Sequence, residues 1–294
     1  MNLDDKNGTT VQVRSTEFKP RRSFTNWLIG KPLQTADAPH QTIGKLIGLA
    51  VFSSDALSSV AYGPQELMMM LAAAGLVSLQ YSLPLVLCIV GLLAILTISY
   101  EQTIHAYPNG GGSYIVSRDN LGVLPAQIAG AALLTDYILT VAVSISSSVA
   151  QISSAFPGLF RWRVEIAIVF IMLIMVINLR GVKESGVTFA IPTYFFIVMM
   201  YITIVVGLVR YFAGTLGIVA NPPELTILAE PQALGLFLLL KAFASGTASV
   251  TGVEAISDGI TAFREPRSKN AGTTLIFMAL ILGSMLIGVT FLAG

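Results

Sequence analysis

Charge is scarce in this sequence. Only 11% of its 294 residues are Asp, Glu, Lys or Arg, where a soluble domain carries about 25%, and the mean hydropathy is +0.76. That combination excludes a water-soluble globule and marks a polytopic membrane protein. Cysteine is nearly absent. Cys88 alone cannot form an internal disulfide, and it falls in an apolar run where it reads as a small core hydrophobe. The two histidines, His40 and His105, stand apart without metal-ligand spacing; His105, at the end of an apolar segment, reads as interfacial. No zinc spacing and no nucleophile–base pattern marks an enzyme. A net charge of +1 says nothing about nucleic acid, and no basic block interleaved with aromatics appears, so no nucleic-acid partner is expected. The glycine-rich string PNGGGSY at 108–114 lacks the Gly-Lys-Ser/Thr ending of a phosphate cradle. It reads as a tight turn with close backbone packing, and no cofactor is expected. Residues 1–40 hold no apolar core of a cleavable signal, so the first apolar segment is expected to direct insertion.

What the chain has is hydrophobic length. A span needs about 20 apolar residues. By that measure there are seven segments, near 44–75, 82–104, 123–152, 164–179, 188–212, 234–262 and 270–292. A polar arm over 1–43 precedes them. The segments divide into a first set of five over 44–212 and the beginning of a second over 234–294. Lys and Arg set the orientation. With the N-terminus cytoplasmic, one face collects Lys6, Arg14, Lys19, Arg21, Arg22, Lys31, Lys45, Arg118, Arg180, Lys183, Arg264, Arg267 and Lys269, and the other only Arg161, Arg163 and Arg210. A multi-pass protein of the cell membrane, with the lipid bilayer as its surroundings, is the expectation.

Two segments are over-long and interrupted. In the first, VFSSDALSSVAYG at 51–63 puts Ser53, Ser54, Ser58, Ser59, Asp55 and Tyr62 at membrane depth. A carboxylate there costs roughly 2.5–3.5 kcal/mol on insertion scales and marks a functional site by default. The string is read as a broken helix whose freed carbonyls, serine hydroxyls and Asp55 line a site for an alkali cation or a proton. Tyr62, seven residues on from Asp55, is placed to close it. The bland alternative is a serine-rich kink with Asp55 paired to a lysine.

In the third segment Asp136 and Thr140 are one turn apart, and Tyr137, Thr140 and Ser144 share one helical face. That oxygen-rich stripe points at a cavity or a neighbouring helix, whereas Ser146, Ser147 and Ser148 read as interhelical hydrogen-bonding residues. The sixth segment, FASGTASVTGVEAISDG at 243–259, is weakened by Gly246, Gly252 and Gly259. After its break come Thr251 and Glu254, and Glu254 is the candidate proton carrier. Asp258 reads as a partner for a charge near the inner end, Arg264 being the nearest. Lys241 is either a counter-charge for these acids or a snorkelling residue.

The interruptions fall in the first and sixth segments, five spans apart, so the second runs opposite to the first. That is the signature of an inverted repeat with discontinuous helices around a midplane site. The expected fold is an all-α membrane protein with a LeuT/APC-like inverted five-helix repeat, broken in helices 1 and 6. Seven spans complete one repeat and only part of the next, so the chain is expected to be a fragment or a truncated product.

Three strings, YPNGGGSY (107–114), NLRGVKESG (178–186) and TGVEAISD (251–258), make the chain from about residue 44 onward resemble the amino acid–polyamine–organocation (APC) superfamily of secondary transporters. SSDALSS replaces the glycine-rich string that holds a substrate carboxylate in amino acid permeases, and an acid there repels a carboxylate. The 51–63 string is similar to that of the KimA-type potassium uptake proteins, regarded as potassium–proton symporters. The resemblance implies potassium contacts at Asp55, Tyr62, Tyr137, Thr140, Ser144 and Thr251, and coupling or coordination roles for Asp136 and Glu254. It also implies, for the full-length family, a cytoplasmic cyclic di-AMP-binding domain and a homodimer, carried by a region this sequence does not contain. The competing expectations are an amino acid permease of the same superfamily and a non-transporting truncated membrane fragment.

Overall fold

The computed structural model describes residues 42–217 and 234–294. The polar arm up to residue 41, with His40 and the six basic residues from Lys6 to Lys31, lies outside the described residues.

Seven helical stretches among the described residues are long and apolar enough to cross a membrane. Span 1 consists of α1 (Lys45–Ser58), a 3-10 turn (Ser59–Ala61) and α2 (Gly63–Ala72). Span 2 is completed by α3 (Ser82–Ala106). A short connector, α4 (Gly112–Leu121), leads into span 3, α5 (Val123–Ala155). Span 4 ends in α6 (Arg163–Leu179), and span 5 is α7 (Val182–Phe212). Span 6 is α8 (Leu236–Gly246), a 3-10 turn (Thr247–Val250) and the one-turn helix α9 (Ala255–Asp258). Span 7 is α10 (Arg267–Ala293). The bundle is all-α among the described residues, apart from one isolated parallel bridge, Ile43 to Phe263.

Each element follows from its solvent. In lipid the backbone must bond to itself, so apolar runs become helices and irregular backbone is kept only inside protein. Spans 1 and 6 are the two interrupted midway, and both are well buried: 56% and 39% of their apolar windows lie inside the bundle, as does 39% of the continuous span 7, against 11% and 0% for spans 3 and 4. The packed core therefore lies between spans 1, 2, 6 and 7, around Leu57, Leu67, Ile89, Ile256, Leu275 and Met278. Spans 3 and 4 stand on its flank with apolar outer faces. Cys88, expected as a core hydrophobe, is exposed on the outer side of span 2; its apolar neighbours are the lipid-facing surface of α3.

Two ties hold the halves of spans 1 and 6 in place. The Ile43 N–H donates to the Ala262 carbonyl at 2.8 Å, and the Arg264 N–H donates to the Ile43 carbonyl at 3.0 Å. Beside this bridge the Phe52 and Phe263 rings stack with centroids 5.3 Å apart. Span 5 braces α1 through the Tyr194 hydroxyl, which donates to the Leu46 carbonyl at 2.8 Å.

The other two halves meet through glycine. A Cβ on Gly63 would lie 2.5 Å from the Cβ of Ser249, with the Ser249 backbone directly behind it. Gly63→Val should therefore destabilise the protein by about 1–3 kcal/mol, read as a lowered melting temperature in detergent. Gly91→Ala, which opens onto free space, should leave it unchanged. Equal melting of the two variants would contradict this packing.

Candidate functional site

The break in span 1 is later and shorter than its sequence implies. Residues 51–58 are helical, and the chain leaves the α-helix only at Ser59–Tyr62. The serines make this possible by bonding to their own helix. Ser54 Oγ donates to the Val51 carbonyl at 3.2 Å, Ser58 Oγ to the Asp55 carbonyl at 2.8 Å and Ser59 Oγ to the Ala56 carbonyl at 2.5 Å. The expectation of freed carbonyls around Asp55 is thus corrected: a helix with hydroxyls folded back on it presents the Asp55 side chain, and the irregular backbone comes one turn later.

Span 6 breaks more completely. Thr251 is extended (φ −66°, ψ 153°), and Gly252 has φ +78°, a conformation that favours glycine. The two breaks meet. Ser59 Oγ also lies 2.7 Å from the Ser249 carbonyl, and a Cβ on Gly252 would sit 2.7 Å from Asp55 Oδ2. The acid of span 1 thus rests against the bare backbone of the span 6 break. No larger residue could let it come so close.

Span 3 supplies the third wall. Thr140 is buried, Asp136, Tyr137 and Ser144 are half-buried, and Ile138, Leu139, Val141 and Val143 face outward, so the stripe inferred from spacing does face inward. The Tyr62 hydroxyl approaches the hydroxyls of Ser144 and Thr251, although Ser144 Oγ closes no hydrogen bond within the protein. Thr251 Oγ1 donates back to the Ala248 carbonyl at 3.2 Å. Asp55 lies within electrostatic range of Asp136, and Glu254 within range of Asp136, Asp258 and Asp55. The eight residues singled out from the sequence therefore gather on the facing sides of spans 1, 3 and 6. Ser148, expected to bond between helices, instead bonds back to its own: its hydroxyl donates to the Ser144 carbonyl at 2.8 Å.

Two members were missed. Asp258 does not pair with Arg264, which is exposed. The Tyr137 hydroxyl donates to Asp258 Oδ2 at 2.5 Å, because the unwound stretch of span 6 turns Asp258 inward. Tyr100, on span 2, faces Glu254, Asp258 and Asp136 and reaches Ser113 in the glycine-rich turn. Its signal was a tyrosine near the end of an apolar run, next to that turn.

The result is an acidic cluster without a basic partner. The ion pairs among the described residues are His105–Glu101, Arg180–Glu184 and Arg267–Glu265, all outside it, and Lys241 is exposed. Ser53 Oγ, Ser144 Oγ, Glu254 Oε1 and Asp258 Oδ1 are buried and make no hydrogen bond within the protein. Buried oxygens left unpaired by the chain are costly. A cation or a proton offsets that cost. Yet no three of the His, Cys, Asp and Glu side chains among the described residues group closely enough to hold a metal ion. The donor set is hydroxyls, carbonyls and separated carboxylates, which suits a weakly held monovalent cation better than a transition metal.

Apolar spans with two interruptions facing each other across such a cluster define a multi-pass membrane protein of the permease type. The sequence model of the amino acid permease family matches residues 42–293, and the chain belongs to that family. It is 48% identical to the potassium transporter KimA of Bacillus subtilis over 272 residues, 92% of this chain and 44% of that protein. It is 24% identical to the chloroplastic cationic amino acid transporter 6 of Arabidopsis thaliana over 72% of this chain and 36% of that protein. To the low affinity potassium transport system protein Kup of Pectobacterium atrosepticum it is 28% identical, over 54% of this chain and 25% of that protein. The chain thus spans less than half the length of these curated relatives, all of them transporters rather than enzymes.

The contact between the breaks gives a test. Gly252→Ala should cost about 1–2 kcal/mol for the left-handed backbone and more for displacing Asp55. Its melting temperature should fall, and pairing it with Asp55→Gly should restore part of the loss. A melting temperature equal to that of the parent would show that the approach is not tight.

Proposed function

We propose that this chain forms the cation pathway of a proton-coupled potassium importer of the cell membrane. The observation that carries the reading is the seating of Asp55 against the Gly252 break, with the hydroxyls of Tyr62, Ser144 and Thr251 turned toward the same space. Support also comes from the 48% identity to a protein named as a potassium transporter. Potassium exchanges its water shell for oxygen ligands when their number and dipoles are suitable. Asp55, Tyr62, Tyr137, Thr140, Ser144 and Thr251 are the proposed ligands, near the middle of the bilayer. Asp136 adds negative charge from span 3.

Glu254 is the proposed proton site. It is buried among other acids with one oxygen unpaired, so its charge is coupled to whatever cation occupies the cluster. A proton bound from one side and released to the other would move with potassium. Spans 1 and 6 are taken as the repeat-related pair, and the N-terminus as cytoplasmic, since Lys45, Arg118, Arg264 and Lys269 lie at one end of the spans and Arg161, Arg163 and Arg210 at the other.

An amino acid is the second reading, favoured by the family match and by the Arabidopsis relative. Uptake assays with rubidium and with a labelled cationic amino acid, in cells lacking their own potassium uptake, separate the two. Rubidium uptake competed by potassium is expected. Transport of the amino acid alone would overturn the potassium assignment.

Asp55→Asn should abolish rubidium uptake while the protein still inserts, because the amide keeps the shape and removes the charge; full uptake by a correctly inserted variant would remove the central claim. Glu254→Gln should leave any remaining uptake insensitive to external pH between about 5.5 and 8, where the parent gains activity as the outside is acidified. A parent-like pH profile would take the proton role away from Glu254.

A further inference from the structure

The cluster is closed on one side by a contact that cation binding does not require. Tyr137 on span 3 donates its hydroxyl to Asp258 Oδ2 at 2.5 Å, across 121 residues of chain. Asp258 ends α9, where span 6 turns back toward the basic end of the bundle. On its far side is the glycine-rich turn. A Cβ on Gly110 would meet the Asp258 backbone carbonyl at 3.0 Å, and one on Gly112 would collide with Asp258 Oδ1. Both glycines have positive φ, +83° and +42°. Their bare backbone lets the turn close over the carboxyl group. Tyr100 reaches the same turn at Ser113 and faces Asp258, so spans 2, 3 and 6 and the connector meet around one side chain.

Three features distinguish this meeting point from ordinary interhelical packing. It uses a single hydrogen bond between side chains, which can break without unfolding a helix. Its carboxyl group has a second oxygen, Oδ1, that is buried and makes no hydrogen bond, so the group is held from one side only. It also lies between the acids of the cluster and the basic end, where Arg118, Arg264 and Lys269 are exposed.

We propose that the Tyr137–Asp258 hydrogen bond, seated on the Gly110–Gly112 turn, is a latch that closes the cluster toward the basic end of the bundle. Closed, it joins span 3 to the broken half of span 6. Opened, it frees α9 from α5 and exposes the face carrying Thr140 and Ser144. Asp258 is then a positioning residue. It acts by holding Tyr137, and Tyr137 contributes to the cation site only when the latch is open. The latch rests on the cation-pathway reading for its purpose, but its geometry can be tested without transport.

The test is thiol labelling from the basic side. Cys88→Ala removes the native thiol, and Ser144→Cys places a reporter on the inner face of span 3. The protein in inverted vesicles is treated with a membrane-impermeant maleimide. Tyr137→Phe keeps the ring and removes the donor, and Asp258→Ala removes the acceptor. Either should raise the labelling rate about tenfold, the value of one hydrogen bond to a charged acceptor. Asp258→Asn keeps an acceptor oxygen without the charge and should label at a rate between those of the parent and Asp258→Ala, which a non-specific loosening of the helices would not reproduce. Equal labelling of the parent, Tyr137→Phe and Asp258→Ala would overturn the latch, as would an Asp258→Asn rate matching that of Asp258→Ala. Rubidium uptake in the Cys88→Ala protein, measured in parallel, separates the two readings. Uptake without the labelling pattern removes the latch alone, and the labelling pattern without uptake removes the transport reading and leaves the latch standing.

Discussion

A backbone that leaves helical form inside a bilayer has to find its partners within the protein. Here the two interrupted spans supply them to each other. The Ser59 hydroxyl against the Ser249 carbonyl, at 2.7 Å, fastens one break to the other, and the approach of Gly252 to Asp55 follows from that contact. Other features of the centre depend on this crossing. Spans 1 and 6 must be buried to cross, so spans 2 and 7 pack around them with Ile89, Leu93, Leu275 and Met278. Span 3 is then free to turn an oxygen-bearing stripe toward the gap and an apolar one away from it. Chemistry and packing use different faces of the same helices.

The electrostatics follow from the same geometry. Four carboxyl groups, Asp55, Asp136, Glu254 and Asp258, act on one another with no lysine or arginine among the described residues paired to them. Like charges in a low-dielectric interior repel strongly. Positive charge, an ion or protons, would relieve that repulsion. Tyr62, Tyr100 and Tyr137 moderate that field with hydroxyls and add no charge of their own. The departure of span 6 from helix over Thr247–Glu254 brings all four acids together, since a continuous helix would have carried Asp258 beyond reach of Tyr137.

Much of this was legible in the sequence, for reasons that differ by residue. The seven spans could be read because lipid imposes length and apolarity on each stretch separately. The breaks could be read because Gly246, Gly252 and the serines are poor reasons to continue an apolar helix. The inward stripe of Tyr137, Thr140 and Ser144 could be read because helical period alone puts them on one face. The position of the first break was misjudged: a serine can free a backbone or fold back onto it, and only the surroundings decide which. Asp258 and Tyr100 were underread for another cause. Their partners lie on other helices, far off in sequence, and the depth of Asp258 depends on how many residues the unwound stretch consumes. Periodicity carries no information about either.

The clasp between Ile43 and Phe263 has a mechanical meaning. Paired backbone and the stacked ring of Phe52 make the Lys45 half of span 1 and the end of span 6 a single lever, though more than two hundred residues of chain separate them. A lever of this kind cannot bend at one break alone. A displacement of one segment would have to carry the other with it and strain the Tyr194–Leu46 bond that ties span 1 to span 5.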